Sequence, residues 1–249
     1  MNFQKSDEQI EIMKKAGKIC AHALRKVLNE VKVGTSCKKL DIIAQREIEN
    51  MGASPSFKTV DNYAWTICTT INDQVVHGIP GDTLLRDGDI VGIDIGAFYQ
   101  GLHSDLAITV PVGKIKKETE KFLEVGQKTL NEAIQKARIG NTIGDISQTI
   151  QNGIETAGYS VVTSLTGHGI GSKLHEDPMV PGVGKRGTGA KILKNMTLAI
   201  EVIYTQGAGD VVLEKDGWTI SSADGSLGGL FEKTVAIGQN GPIVLTPYL

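Results

Sequence analysis

The sequence has 249 residues, of which 40% are hydrophobic and 22% charged, the composition of a globular protein with enough chain to bury a sizeable core. Lys and Arg total 26 against 28 Asp and Glu, a formal net charge of -2, so no overall basic field draws in nucleic acid or an anionic membrane. No run approaches the roughly 18 apolar residues of a membrane span, and Met1-Asn2-Phe3-Gln4-Lys5-Ser6-Asp7-Glu8 lacks the apolar stretch of a secretion signal, so the protein is expected to stay where it is made. Cys20, Cys37 and Cys68 form neither a C-x-x-C pair nor a disulfide framework, which fits a reducing cytoplasm.

Ser6-Asp7-Glu8-Gln9 has the spacing of a capping box, and Ile10, Met13, Ala16, Ile19, Cys20, Ala23, Leu24, Val27 and Leu28 follow at helical spacing. A second helix is predicted from Thr35-Ser36, with Leu40, Ile43, Ala44 and Ile48 on one stripe and Gly52 as its stop. Strand signals run over Trp65 to Ile71, Ile90 to Phe98 and Leu102 to Val110, the last two joined at Tyr99-Gln100-Gly101 as a hairpin. A helix from Lys117 to Arg138 comes next, then one ending at Gly158, then strands over Val161 to Leu165, Leu198 to Tyr204 and Leu230 to Ile237.

The second half repeats the first. Gly34-Thr35 through Gly52 lines up at an offset of 106 with Gly140-Asn141 through Gly158, placing Leu40 on Ile146, Ala44 on Ile150, Ile48 on Ile154 and Glu49 on Glu155. Any two amphipathic helices with glycine stops align in this way, but here each is also preceded by a helix and followed by strands. The economical reading is an α+β fold of two pseudo-symmetric helix-helix-sheet halves, helices covering one face of a largely antiparallel sheet. With no Pro/Ser-rich linker between the halves, residues 1–249 are expected to form a single domain with its site at the junction.

If the hairpin turns at Tyr99-Gln100, residues whose numbers sum to 199 face one another, and Asp94 sits opposite Asp105 within one position. Like charges opposed on a sheet are destabilising, and both acids lie in apolar surroundings where an unpaired ion costs several kcal/mol. Something cationic must sit between them, unless an Arg or Lys neutralises one or both face solvent. His168, among glycines in Thr166-Gly167-His168-Gly169-Ile170-Gly171 just after a strand, is expected against bare backbone. Glu201 and Glu232 are embedded in the strand-like runs Leu198-Ala199-Ile200-Glu201-Val202-Ile203 and Leu230-Phe231-Glu232-Lys233-Thr234-Val235, where a buried glutamate is rare without a partner. Singly each could be salt-bridged. Together, four carboxylates and an imidazole make an oxygen-rich ligand set suited to two divalent ions of the Mn, Fe, Co or Zn type.

The order Asp94, Asp105, His168, Glu201, Glu232, with His77 in Val75-Val76-His77-Gly78-Ile79-Pro80 and His175 in Leu174-His175-Glu176-Asp177-Pro178, resembles the methionine aminopeptidases of the pita-bread metallopeptidase fold, family M24. The resemblance spans nearly the whole chain and rests on seven dispersed polar positions in order. It implies two pseudo-twofold halves, with Asp94 on one metal, Asp105 and Glu232 bridging both, and His168 and Glu201 completing the other. Only 26 positions separate His175 from Glu201, which leaves no room for the helical insertion of type II enzymes and makes the chain similar to type I. Two strings depart from the bacterial type I pattern: His103-Ser104-Asp105-Leu106 stands for His-Gly-Asp-Thr, and Asp94-Ile95-Gly96-Ala97 is closer to proline-directed and archaeal relatives.

The resemblance implies removal of the initiator methionine from peptides and nascent polypeptides in the cytoplasm, near the ribosome surface, with no membrane and no direct nucleic-acid role. Glu201 would pass the proton, His175 would hydrogen-bond the developing oxyanion, and His77 would contact the scissile amide nitrogen or the next backbone unit. Tyr63, Cys68 and Trp218 would line the methionine pocket, where soft contacts suit a thioether. The alternatives are structural histidines satisfied by backbone and a Trp218 packed in the core. His22 is expected at the surface, and His103 could support Asp105 from behind. Two rival functions share the fold: an X-Pro peptidase that keeps the ligands and changes the pocket, and a metal-free binding protein that loses them.

Overall fold

The computed structural model describes residues 3–247. Helix α1 (Asp7–Leu28) starts on the expected capping box, Ser6 Oγ accepting from Gln9 N–H and the Gln9 side chain from Ser6 N–H. Helix α2 (Cys37–Asn50) is capped by Ser36, α3 spans Lys117–Ile134, and α4 (Ile143–Thr156) is capped by Thr142 with Asp145. α4 repeats α2 at an offset of 106 at both ends. The flanking glycines repeat as well: Gly34 and Gly140 lead in at φ 85° and 96°, and Gly52 and Gly158 lead out at 76° and 87°, left-handed backbone that glycine adopts without a Cβ penalty.

Among the described residues thirteen strands accompany these helices: β1 (Ser54–Pro55), β2 (Ile67–Ile71), β3 (Gln74–Val76), β4 (Ile90–Tyr99), β5 (Leu102–Pro111), β6 (Ser160–Val161), β7 (Thr166–Gly169), β8 (Glu176–Pro181), β9 (Thr197–Thr205), β10 (Val211–Leu213), β11 (Ile220–Ser222), β12 (Gly228–Gly238) and β13 (Gly241–Val244). The main sheet runs β1-β4-β5-β12-β9-β7-β8, with β2 on β4, β6 on β9 and β13 on β12; β10-β11-β3 form a small second sheet. Every pairing is antiparallel. Side chains alternate across a strand, and the helices take one face. α1 and α2 bury Leu24, Val27, Leu40 and Ile48 against Ile93 and Ile95, while α3 and α4 bury Phe122, Ile146 and Ile150 against Ile200, Val202 and Phe231. The intervening residues Asp94, Glu201 and Glu232 therefore point to the other face.

The halves meet where β5 pairs β12, at Ala107–Glu232 and Leu106–Lys233. On either side of this short ladder a threonine hydroxyl replaces both backbone bonds. Thr234 Oγ1 accepts from Asp105 N–H and donates to Asp105 C=O, each at 2.8 Å. Thr109 Oγ1 does the same for Leu230, at 3.0 and 2.9 Å.

Several expectations shift. The turn of the β4–β5 hairpin is Gln100-Gly101, at φ 48° and 84°, the two left-handed residues of a type I′ turn. Placing it one residue later than expected moves the register by two, so Asp94 faces Ala107 and Asp105 faces Gly96. A two-residue move preserves the face, and the aspartates are diagonal rather than opposite neighbours. His168 lies within β7, paired with Ala199, not after a strand. α3 stops at Ile134, four residues short of Arg138, because the chain turns toward Gly140 through bonds such as Ala137 N–H to Ile134 C=O. Of the strand expected over Val161 to Leu165, only Ser160–Val161 forms.

Candidate active site

β4, β5, β7, β9 and β12 each contribute one side chain to a single pocket: Asp94, Asp105, His168, Glu201 and Glu232. His77, His175, Tyr63, Cys68 and Trp218 line the same pocket, so all ten residues singled out in the sequence converge. Together they line a cavity of about 120 Å³.

The carboxyl end is electrostatically unbalanced. Burial pushes the Asp94 carboxyl up to about 7. Burial also raises Asp105, with Asp94 and Glu201 adding to it, and raises Glu201 and Glu232, where neighbouring acids again contribute. The charges acting on these groups are one another, with no lysine or arginine among them, so the reading in which a basic side chain neutralises the aspartates fails. Solvent-facing aspartates fail too: Asp105 and Glu232 are 4% and 2% exposed, and Asp94 Oδ1 and Glu232 Oε1 are sealed without a hydrogen-bond partner.

His168 carries the decisive detail. Its Nδ1 lies 2.8 Å from the carbonyl oxygen of Gly169, which can only accept, so Nδ1 bears the proton. Burial, with His175 adding to it, holds the ring down to about 4, and it is neutral at pH 7. Nε2 then turns a bare lone pair toward Glu201 Oε1 3.5 Å away, a contact that needs either a proton held on the raised Glu201 carboxyl or a cation in its place. A cation satisfies that contact together with the orphaned oxygens, and a backbone carbonyl fixing the tautomer is the usual support of a metal-ligating histidine. One donor atom each from Asp105, His168 and Glu232 lies within 4.8 Å of the others. The donor set therefore fits divalent metal.

The other end of the pocket is soft and apolar. Tyr63 makes edge contacts with Trp218 and Phe57 at centroid distances of 5.0 and 6.4 Å, and its hydroxyl donates to Ile67 C=O at 2.9 Å and lies 3.2 Å from Cys68 Sγ. Burial, with Asp94 adding to it, pushes the Cys68 thiol far up, consistent with a wall residue and not a nucleophile. Asp216 pins the turn bearing Trp218 by accepting from Trp218 and Thr219 N–H. Val60, Val76, Leu174 and Leu230 complete the lining; sequence inspection misses them because an apolar pocket residue carries no mark that separates it from core.

Two histidines flank the acids. His77 takes φ 58°, an uncommon conformation for a residue with a side chain, and a Cβ on the following Gly78 would fall 2.1 Å from Thr69 O. The His175 ring stands edge-on to His168 at 4.5 Å. Burial lowers both, with His175 adding to the effect on His77. His103 lies off the pocket wall, its Nδ1 3.0 Å from Ser56 Oγ and its ring against Phe98. His22 is half-buried beside Arg25 and Glu47, less exposed than expected.

Known proteins match this architecture. A methionine aminopeptidase from Clostridium perfringens is 44% identical over 99% of this chain and 99% of its own length. The crystal structure of a methionine aminopeptidase from Thermotoga maritima superposes with a TM-score of 0.96 at 39% identity, covering 97% of this chain and 98% of that one. A prolidase from Pyrococcus furiosus reaches a TM-score of 0.80 at 23% identity, with 98% of this chain covering 65% of that protein, a likeness of fold alone. The profile of metallopeptidase family M24 matches residues 11–242, and with near-full-length relatives above 40% identity the chain belongs to that family.

Proposed function

We propose that this chain is a metalloaminopeptidase that hydrolyses the first peptide bond after an N-terminal methionine, acting across residues 1–249 as one catalytic domain of two related halves. The observation that carries the reading is the unpaired lone pair of His168 facing Glu201 beside three further buried carboxyls, adjoining a soft apolar pocket of side-chain width.

Asp94, Asp105, His168, Glu201 and Glu232 would hold two divalent ions of the Co, Mn, Fe or Zn type, Asp105 and Glu232 shared between them. Bound there, such ions supply a nucleophile at neutral pH and polarise the scissile carbonyl. Glu201 accepts a proton from the attacking water and returns it to the leaving amine. His175 donates to the oxyanion as it forms, and His77 contacts the scissile nitrogen or the next backbone unit. Tyr63, Cys68 and Trp218 receive the methionine side chain. The substrate is the free N-terminus of a peptide or nascent polypeptide, met in the cytoplasm and at the ribosome surface; no helix among the described residues is long and apolar enough to cross a membrane.

The test is hydrolysis of Met-Gly-Met against Met-Pro and Ala-Pro peptides, with and without added Co or Mn. Metal-dependent release of methionine from Met-Gly-Met is expected, with faster release before Ala than before Arg. Preference for X-Pro bonds would shift the chain to proline-directed chemistry, toward which Asp94-Ile95-Gly96-Ala97 already leans. Full activity after exhaustive chelation would remove the metal.

A further inference from the structure

The segment ahead of α1 is laced to the turn before β9. Gln4 bridges Met196 and its Nε2 donates to Lys194 O at 2.9 Å, Lys5 N–H donates to Asn195 O at 2.8 Å, and Asn195 Nδ2 donates to Asp7 Oδ1 at 2.7 Å. With its backbone fixed there, Lys5 sends its side chain toward the loop joining β7 to β8. Nζ meets Glu176 Oε2 at 2.8 Å, the two side chains only 10% and 19% exposed. The lysine stem lies where residue 171 leaves space for it: a Cβ on Gly171 would fall 2.2 Å from Lys5 Cε and 2.9 Å from Glu176 Oε1. The other oxygen of Glu176 accepts from Ser172 Oγ at 3.1 Å and Lys173 N–H at 3.0 Å. This carboxylate is therefore the hub around which residues 170–176 close.

His175 is bonded directly to that hub. Among the described residues no hydrogen bond holds its ring, whose contact is the edge-on stack with His168; the loop backbone sets where it points. The loop is also thin. His175 lines both the catalytic pocket and an outer cleft lined by Phe3, Lys5, Ser172 and Lys173, so a loop released from Glu176 has open space to move into.

We infer that Lys5 is a positioning residue: through Glu176 it fixes the loop that aims His175, so that the N-terminal segment controls turnover at a pocket it does not line. The inference rests on the role given to His175 above. Lys5→Met keeps the stem over Gly171 and removes the charge, leaving Glu176 sequestered with neutral donors only, and Glu176→Gln removes the hub's charge from the other side. Displacements of about 1 Å at a reacting group cost up to 10²-fold.

The test measures kcat, KM, bound metal and melting temperature for Lys5→Met and Glu176→Gln, singly, together, and each combined with His175→Ala. The expected result is a tenfold to hundredfold fall in kcat for each single variant, with KM and metal content at parental values. The double variant should be no slower than the worse single one, and neither should slow His175→Ala further. Lys14→Met, which breaks an exposed pair with Glu11 on α1, should leave kcat unchanged. Parental kcat in both single variants, loss of metal, or a fall that multiplies with that of His175→Ala would overturn the inference. If His175→Ala itself turns over at the parental rate, the role of His175 fails first and the inference goes with it; if Lys5→Met does not fold, Glu176→Gln decides alone.

Discussion

A carboxyl that is buried with no cationic neighbour stays protonated, is paired by something else, or destabilises the fold. Asp105 and Glu232 are the sharpest cases, both sealed and both raised by burial and by neighbouring acids. Replacing either with its amide keeps the shape and removes one of the repelling charges. Asp105→Asn and Glu232→Gln should therefore bind less metal and turn over poorly, yet melt in the apo form at or above the parent. His175→Ala should behave in the opposite way: it keeps its metal and loses kcat by about 10² to 10³, the usual cost of removing an oxyanion donor. Elemental analysis beside steady-state kinetics and apo melting separates the two classes. If His175→Ala lost metal while Asp105→Asn kept full metal and full rate, the proposed roles would be reversed.

At the scale of elements, the seam between β5 and β12 positions the centre, because Asp105 and Glu232 sit on its two strands. Thr234 bridges both backbone groups of Asp105, and its own N–H donates to Thr246 Oγ1 at 3.0 Å. Thr234→Val keeps the volume and strands a buried donor and acceptor, at about 1–3 kcal/mol for each group left unpaired. Thr234→Ser should retain most of the stability and metal affinity that Val loses, measured by denaturant melts and metal titration. Equal stability in the two variants would mean that the ladder closes without the hydroxyl. No sequence signal marks Thr234 for this role, since the need arises only once the strands splay. What was legible were the long strands, where an acid interrupts a nearly continuous apolar run, as at Ile93-Asp94-Ile95 and Ile200-Glu201-Val202, and the repeated helix with its flanking glycines. The hairpin face was legible and its register was not, because one residue of turn placement moves the pairing by two. β7 escaped because Thr166-Gly167-His168-Gly169 has little strand propensity and is held extended by β9. β1, two residues long, carries no periodicity at all, and of β6 only Val161 lies within the strand expected there.

Across the whole molecule the five proposed ligands come from five strands on both sides of that seam, so ions bound there would tie the halves together. The protons at the site make this pH-dependent. The four carboxyls are raised in the folded apo protein, Asp94 to about 7 and the others upward as well, whereas unfolded carboxyls titrate near 4. Between those limits the four carboxyls hold more protons in the folded apo form than in the unfolded chain, and their contribution to stability falls as pH rises; the histidines lowered by burial work in the opposite sense, but only below about 6.5, where the unfolded imidazole takes up its proton. Each unit of upward shift is worth about 1.4 kcal/mol, and for a chain of this size 1 kcal/mol moves the melting temperature by roughly 2–4 °C. The apo protein should therefore melt several degrees lower at pH 8.5 than at pH 6.5. Metal binding needs ligands without their protons, so added Mn or Co should stabilise little at pH 5.5 and progressively more toward pH 8.5, reversing the slope. In Asp105→Asn/Glu232→Gln two of the groups no longer titrate, and both the apo slope and the metal-induced rise should shrink. The measurement is melting temperature against pH with chelator and with saturating metal. An apo melting temperature that climbs from pH 6.5 to 8.5 would show that these carboxyls are already ionised and compensated within the protein, leaving no charge deficit for metal to fill.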